Sequence, residues 1–411
     1  MLSEKQKLAK IMKLGVEITE VKDVDVLLER ILREARQLVN ADAGSIYIKE
    51  NESLKFSYTQ NDTLQKRLQP DKKLIYSTFS LPIDNKSISG YVANTGETLN
   101  IPNVYRLVKG LPFSFNKSYD DLSGYRTQSM LTFPLKTNRG TTIGVLQLIN
   151  GKNSSGKTVP FLKKDQPLIL HFANMAAVAI ERAQMTRTLI LRTIKMAELR
   201  DPKETGAHVN RVAAYAVAIY EAWAAKRGTP HDEVEKKRDV LRMAAMLHDV
   251  GKVAISDTIL KKPARLSEEE RTEMKQHALK GARLFSERYS ELDEAAAIVA
   301  LNHHEKWDGT GYPGHINLDD GTVIKGYETT EGTPRPKKGE EIPVFGRFVA
   351  LADVYDALSS HRAYKEKWEE TRVLNEMRSH SGTHFDPEIV EAFFLCLDTI
   401  HSISDRYPNH D

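Results

Sequence analysis

Val240-Leu241-Arg242-Met243-Ala244-Ala245-Met246-Leu247-His248-Asp249-Val250-Gly251-Lys252 decides how the second half of the chain is read. Val240, Leu241, Met243, Ala244, Met246 and Leu247 make an apolar helix, which His248-Asp249 closes and for which Gly251 supplies a C-terminal stop. A histidine beside an aspartate at a helix end can turn two N/O ligands into one cavity. Taken alone, such a dyad is more often a surface or capping pair. Its company alters the weighing. Upstream stand Glu204 and His208, downstream His277, then His303-His304, then Asp353 in the apolar run Phe348, Val349, Leu351, Ala352, Val354. A carboxylate in such a run is costly unless it is paired or coordinated. Five histidines and three carboxylates without a thiol suit iron, manganese or zinc with open positions better than a closed structural zinc.

Around this stretch the pattern is helical almost throughout, with helices predicted over 209–227, 233–247, 267–288, 293–303, 344–359 and 371–379. Residues 314–342, rich in Gly, Pro, Thr, Asp and Lys, read as a long loop or short hairpin inserted into this helical domain, the usual form of a lid or mobile segment. Before it, residues 166–200 read as one long helix. Ala173, Ala176, Ile180, Ala183, Ile190, Ile194 and Ala197 sit at heptad-compatible spacing, with Arg187 on the same seam. The expectation is a linker that pairs in a homodimer, set against a helix packed on its own domain. Further upstream, Ile11, Leu14, Ile18, Val21, Leu27, Ile31 and Leu38 predict helix, and strands are predicted at 45–49, 55–58, 130–135 and 142–148, the last ending at an Asn150-Gly151 turn. The expected architecture is an α+β sensor domain with an antiparallel sheet (1–183), a linker helix (184–200) and an all-α domain (201–411).

Composition bounds the rest. The 411 residues exceed one ordinary core, and a formal charge of +3 is no footprint for long nucleic acid. One cysteine, Cys396, rules out an intrachain disulfide framework. The charged N-terminal stretch is unlike a signal peptide, and no apolar run reaches bilayer length, so a cytoplasmic protein without a membrane partner is expected.

Several stretches together resemble the HD-GYP domain: Asp201-Pro202, Glu204-Thr205-Gly206-Ala207-His208 and Arg211; His248-Asp249-Val250-Gly251-Lys252; His277 and Gly281; His303-His304-Glu305-Lys306-Trp307-Asp308-Gly309-Thr310-Gly311-Tyr312-Pro313; Asp353-Val354-Tyr355-Asp356-Ala357-Leu358 with Arg362 and Tyr364-Lys365; and Gly382-Thr383-His384-Phe385-Asp386-Pro387. The resemblance implies hydrolysis of cyclic di-GMP to pGpG and onward to GMP. It implies two or three divalent ions, iron favoured and manganese or zinc possible, on His208, His248, Asp249, His277, His303, His304 and Asp353, with Glu204 added where three ions bind. Asp249 would bridge two ions and a hydroxide, and Lys252 would neutralise transition-state charge. Lys252, Asp356, Arg362 and Lys365 would contact substrate. Tyr312 could stack on guanine, meet a partner, or simply shape its turn. Lys203 lengthens the usual Asp-Pro-Glu-Thr-Gly run by one residue, and 314–342 is longer than usual.

The N-terminal part resembles a GAF domain in Ala41-Asp42-Ala43-Gly44-Ser45-Ile46-Tyr47, in Ser89-Gly90-Tyr91-Val92-Ala93-Asn94-Thr95-Gly96, and in Leu131-Thr132-Phe133-Pro134-Leu135 followed by Gly144-Val145-Leu146-Gln147-Leu148-Ile149-Asn150. Ser118-Tyr119-Asp120-Asp121-Leu122-Ser123-Gly124-Tyr125-Arg126-Thr127 is similar to the subgroup that binds cyclic nucleotides, while Asn150-Gly151-Lys152 and Phe161 to Gln166 match its second motif in part. A cyclic nucleotide regulator and a ligand-free dimerising domain both stay open; without a cysteine there, a thioether-linked bilin does not. Other readings of the whole chain are a catalytically silent nucleotide receptor and a hydrolase of another cyclic dinucleotide.

Overall fold

Residues alternating between two faces make the strands of the first half. In β1 (Ala41–Glu50), Ile46 and Ile48 enter one core while Tyr47 enters another. The computed structural model describes residues 3–68, 79–198, 206–360 and 368–408, with side chains omitted at 197 and 198. The chain divides into two units, Met1–Arg187 and Thr188–Asp411.

In the first unit β1, β2 (Ser53–Asn61), β3 (Ser80–Pro82), β4 (Leu99–Ile101), β5 (Met130–Lys136), β6 (Thr142–Lys152) and β7 (Thr158–Val159) form one antiparallel sheet of order β3-β2-β1-β6-β5-β4, with β7 beside β6. Helices α1 (Glu4–Glu20) and α2 (Val24–Val39) and the start of a long helix cover one face. There Ile18, Leu27, Ile31, Phe133, Leu146 and Phe172 are fully buried. Burial of each such side chain stabilises the unit by roughly 1.5–3 kcal/mol. The Asp23 carboxylate accepts from the N–H groups of Asp25 and Val26 and so separates α1 from α2. Short helices α3 (Asp62–Gln65), α4 (Ile88–Thr95) and α5 (Ser118–Ser123) lie between strands.

Two expectations change here. The predicted turn at Asn150-Gly151 lies inside β6. Asn150 takes φ 55°, a conformation asparagine tolerates, and its side chain accepts from the N–H groups of Gln128 and Ser129, so pairing runs on to β7. The long helix exists as α6 (Gln166–Glu198), but its heptad seam is consumed internally. Ala173, Ala176, Ile180 and Ala183 lie in the first unit's core, and Ile190 and Ile194 belong to the core of the second. Among the described residues, Met185, Leu189 and Met196 are the exposed large apolar positions of α6.

Helices of the second unit are α7 (Gly206–Lys226), α8 (His231–Met246), α9 (Asp257–Leu260), α10 (Glu268–Arg283), α11 (Glu291–Asn302), α12 (Val344–Ser359), α13 (Glu370–Ser379), α14 (Pro387–Leu395) and α15 (Leu397–Arg406). Tyr215, Tyr220, Leu241, Val299, Phe348 and Phe393 anchor their shared core. The last two helices follow Asp386, whose carboxylate accepts from Glu388 N–H at the start of α14. Between α11 and α12 the inserted segment is tied down rather than structureless. Gly314 and Lys337 both donate backbone N–H groups to buried Glu305, at 2.5 and 3.2 Å. Further out, Tyr327 stacks on His315 at 3.9 Å, and Arg335 lies over the Tyr327 ring and pairs with Glu341. Among the described helices none is long and apolar enough to cross a membrane.

Candidate metal centre

His248-Asp249 lies just past the end of α8, in the turn that leads to the 3₁₀ segment Val250–Ala254. Gly251 is not the helix stop its position suggests. A Cβ there would sit 2.0 Å from the His277 carbonyl and 2.4 Å from Gly281 N, so its bareness lets this turn press against α10. That close approach brings His277 to the dyad. Gly311 works in the same way, since a Cβ there would lie 2.3 Å from Lys306 N, and the Gly311-Tyr312-Pro313 turn therefore folds back on His303-His304.

Two ligand groups result. Asp249, His277, His303 and His304 form one and His208, His248 and Asp353 the other, each with ligand atoms mutually within 4.8 Å. Asp249 straddles them: Oδ1 lies 3.2 Å from His277 Nε2 and 3.6 Å from His303 Nε2, while Oδ2 lies 3.3 Å from His248 Nε2. Asp353 Oδ1 lies 3.6 Å from His208 Nε2 and 4.0 Å from His248 Nε2. The predicted ligands within the described residues thus converge. Glu204, Arg362 and Lys365 lie outside the described residues.

Hydrogen bonding prepares these rings for a cation. Nδ1 of His248, His277 and His303 faces the carbonyls of Ala245 (2.8 Å), Met274 (2.7 Å) and Ala300 (3.0 Å). A carbonyl can only accept, so Nδ1 carries the proton and the Nε2 lone pair points into the site. Asp249 Oδ1 is buried and receives no hydrogen bond among the described residues. Such an atom is costly unless something else binds it. A divalent ion fits this donor set, which has nitrogen and oxygen and no sulfur. Burial alone would raise the Asp249 carboxyl; the ammonium of Lys252, with Nζ 2.8 Å from Oδ2, holds it well below the usual carboxylate range. Burial pushes His303 down and His304 well down, keeping both neutral as ligands must be.

Asp356, expected to touch substrate, is placed elsewhere. It is 0% exposed, accepts from His208 Nδ1 (2.8 Å), and pairs with Arg211 Nε and Nη2 at 2.6 and 2.9 Å. Burial opposes its ionisation, yet His208 and Arg211 pull its carboxyl down to about 2. The Tyr312 ring stacks on His304 at 4.8 Å with Lys275 Nζ 5.3 Å from its centroid, so a guanine would share this ring with those neighbours. Burial, with Asp249 nearby, raises its phenol. In the first unit, Asp120 of the cyclic-nucleotide-like stretch accepts from Tyr105 and from both the N–H and hydroxyl of Thr127, while Tyr125 donates to Asp42.

Sequence reading gave no role to Arg211, Glu305, Lys275 or His384. Arg211, quoted above only as part of the resemblance, is signalled by its three-residue spacing from His208, which puts both on one helix face. His384 lies in a segment docked on the centre's flank, where Trp307 and Asp308 donate N–H groups to the carbonyls of His384 and Thr383. Burial, with Lys306 and His380, lowers its imidazole to about 4. Against an unfolded value of about 6.5, its contribution is complete above that pH and is lost as pH falls toward the native value, at about 1.4 kcal/mol per unit. Urea midpoints of chelated protein should therefore fall less steeply on acidification in His384→Gln than in wild type; parallel slopes would refute this.

Parts of this sequence are similar to known families and proteins. A model of the HD domain matches residues 205–358, and a model of the GAF domain matches residues 23–180. Over 230 residues the chain is 32% identical to a 3'3'-cGAMP-specific phosphodiesterase 2 of Vibrio cholerae, covering 56% of this chain and 38% of that one. It is 41% identical over 217 residues to a cyclic di-GMP phosphodiesterase of the same organism, covering 52% and 40%. With the cyclic di-GMP phosphodiesterase response regulator RpfG of Xanthomonas campestris it shares 36% identity over 227 residues, covering 55% and 51%. The chain thus spans about half or less of each of these relatives.

Proposed function

From a chain that carries a GAF domain followed by an HD domain, we propose a metal-dependent phosphodiesterase of the HD-GYP type that hydrolyses cyclic di-GMP to pGpG, and onward to GMP, under control of the GAF domain. The carrying observation is Asp249, which offers one carboxylate oxygen to each of two ligand groups. Relatives named for cyclic di-GMP support the substrate.

His208, His248 and Asp353 would hold one ion and Asp249, His277, His303 and His304 the other, with the second oxygen of Asp249 facing the first group. Iron is favoured, with manganese or zinc as alternatives, and Glu204 would serve a third ion. When bound, such ions supply Lewis acidity toward phosphoryl oxygens and a water that ionises near neutral pH. Lys252 keeps the Asp249 carboxylate ionised and oriented, and its ammonium gives an anionic phosphodiester a fixed positive neighbour. Tyr312 braces His304 from its stacked position. Arg362 and Lys365 would grip phosphate, Arg by two parallel hydrogen bonds. Lys252→Met should lower kcat about 10²-fold or more with metal content retained; an unchanged kcat would remove Lys252 from the chemistry.

A cyclic nucleotide at the GAF domain, a cytoplasmic location and a homodimer complete the proposal. The dimer would use the exposed Met185, Leu189 and Met196, at four- and seven-residue spacing, in place of the buried seam; light scattering of a Leu189→Glu variant would test it by showing monomer. The relative specific for 3'3'-cGAMP supports a second substrate reading. Anaerobically purified protein, assayed for metal and for products from cyclic di-GMP and 3'3'-cGAMP separately, decides between them. Metal-replete protein that cleaves neither would leave the proposal without support.

A further inference from the structure

His208 is held differently from three of its neighbours in the centre, while His304 is braced by its stack on Tyr312. His248, His277 and His303 lean on carbonyls of their own preceding helical turns, which the helix itself positions. His208 Nδ1 instead donates to a carboxylate from another helix, Asp356 of α12, at 2.8 Å. That carboxylate is locked in turn. Arg211, 3% exposed and one turn beyond His208 on α7, grips both its oxygens, and Ser360 Oγ donates to Oδ1 at 3.1 Å. The remaining Arg211 nitrogen, Nη1, donates to the Tyr407 carbonyl at 2.9 Å, just past α15. On α12, Asp356 follows Asp353 by three residues, so one helix face meets His208 at both ring nitrogens: Asp356 at Nδ1 and Asp353 at Nε2.

We infer that Asp356, fixed by Arg211 and by the C-terminal Tyr407 carbonyl, is a positioning residue for the His208, His248 and Asp353 group alone, which makes the two ion positions unequal. A carboxylate behind an imidazole fixes its tautomer and raises its donor strength more than a carbonyl does. Asparagine cannot replace it. Its amide nitrogen meets an Arg211 donor in either orientation: Nε in the place of Oδ1, or Nη2 together with His208 Nδ1 in the place of Oδ2. In the second case Nδ1 has to accept, and the ring proton moves to Nε2, the atom aimed at the ion.

The inference rests on the metal-centre reading, and its test separates the two. Chelator-stripped full-length protein is titrated with Mn²⁺ near neutral pH, without substrate, and followed by calorimetry and electron paramagnetic resonance. Wild type should take up two ions. Asp356→Asn should keep one affinity unchanged and weaken the other about 10–100-fold. Two unchanged affinities, or equal weakening of both in a folded variant, would overturn the inference. A wild type that fails to bind two ions would sink the metal centre itself. Should Asp356→Asn not fold, imidazole ¹⁵N shifts of metal-free wild type decide: His208 protonated at Nδ1 supports the inference, and protonation at Nε2 overturns it.

Discussion

Asp249→Ala is expected to lower cyclic di-GMP hydrolysis by at least about 10³-fold, or roughly 4 kcal/mol of transition-state stabilisation, while the protein stays folded. The size follows from position. Every other ligand belongs to one group, whereas the Asp249 oxygens face His277 and His303 on one side and His248 on the other. Removing it leaves each group one oxygen short and takes away a partner of Lys252. The fold should tolerate the loss, because Oδ1 makes no hydrogen bond among the described residues and Lys252 keeps a fifth of its side-chain surface in water, where it can turn. Circular dichroism beside the turnover assay and metal analysis would check both halves. A variant as active as wild type would remove the proposed site.

Stripping the ions should have the second largest effect, on stability as well as rate. Binding only to the native state stabilises it by about 4 kcal/mol when free ion exceeds Kd about 1,000-fold. For a unit the size of Thr188–Asp411 that corresponds to a Tm lower by about 8–16 °C per ion removed. The physical source is the centre itself, where burial keeps His303 and His304 neutral, with their ring nitrogens gathered beside Asp249 as ligands for an ion. Calorimetry should show the loss in one transition, with the other belonging to Met1–Arg187 and unmoved. Readdition of Fe²⁺ or Mn²⁺ under anaerobic conditions should restore Tm and activity together. An unmoved Tm after complete removal would mean that these groups do not hold ions in the native state.

Much of this molecule is legible along the chain. Apolar periodicity places α7, α8, α11 and α12 within a few residues, because each buries an apolar face in the shared core. The ligands are legible for a complementary reason: His277, His303 and Asp353 interrupt such faces, and polar groups persist there only when something binds them. Other features are not written locally. Asn150 and Gly151 carry the composition of a turn, yet pairing with β7 and the bonds from Gln128 and Ser129 hold them in a strand. The heptad-like seam of α6 has the spacing of a dimer interface, but spacing does not say which surface covers it, and the two cores do.

The sequence by itself determined two domains, their classes, and a set of nitrogen and oxygen ligands suited to divalent ions, since these follow from residue type and period. Tertiary structure alone decided which oxygen of Asp249 faces which imidazoles, that Asp356 is buried behind His208, and that Arg211, which grips Asp356, also reaches the Tyr407 carbonyl. The bonds that fix Asp356 join residues 145 to 196 apart along the chain, and hydrogen bonds at 2.6–2.9 Å are set by the packing of whole helices, which no local pattern encodes.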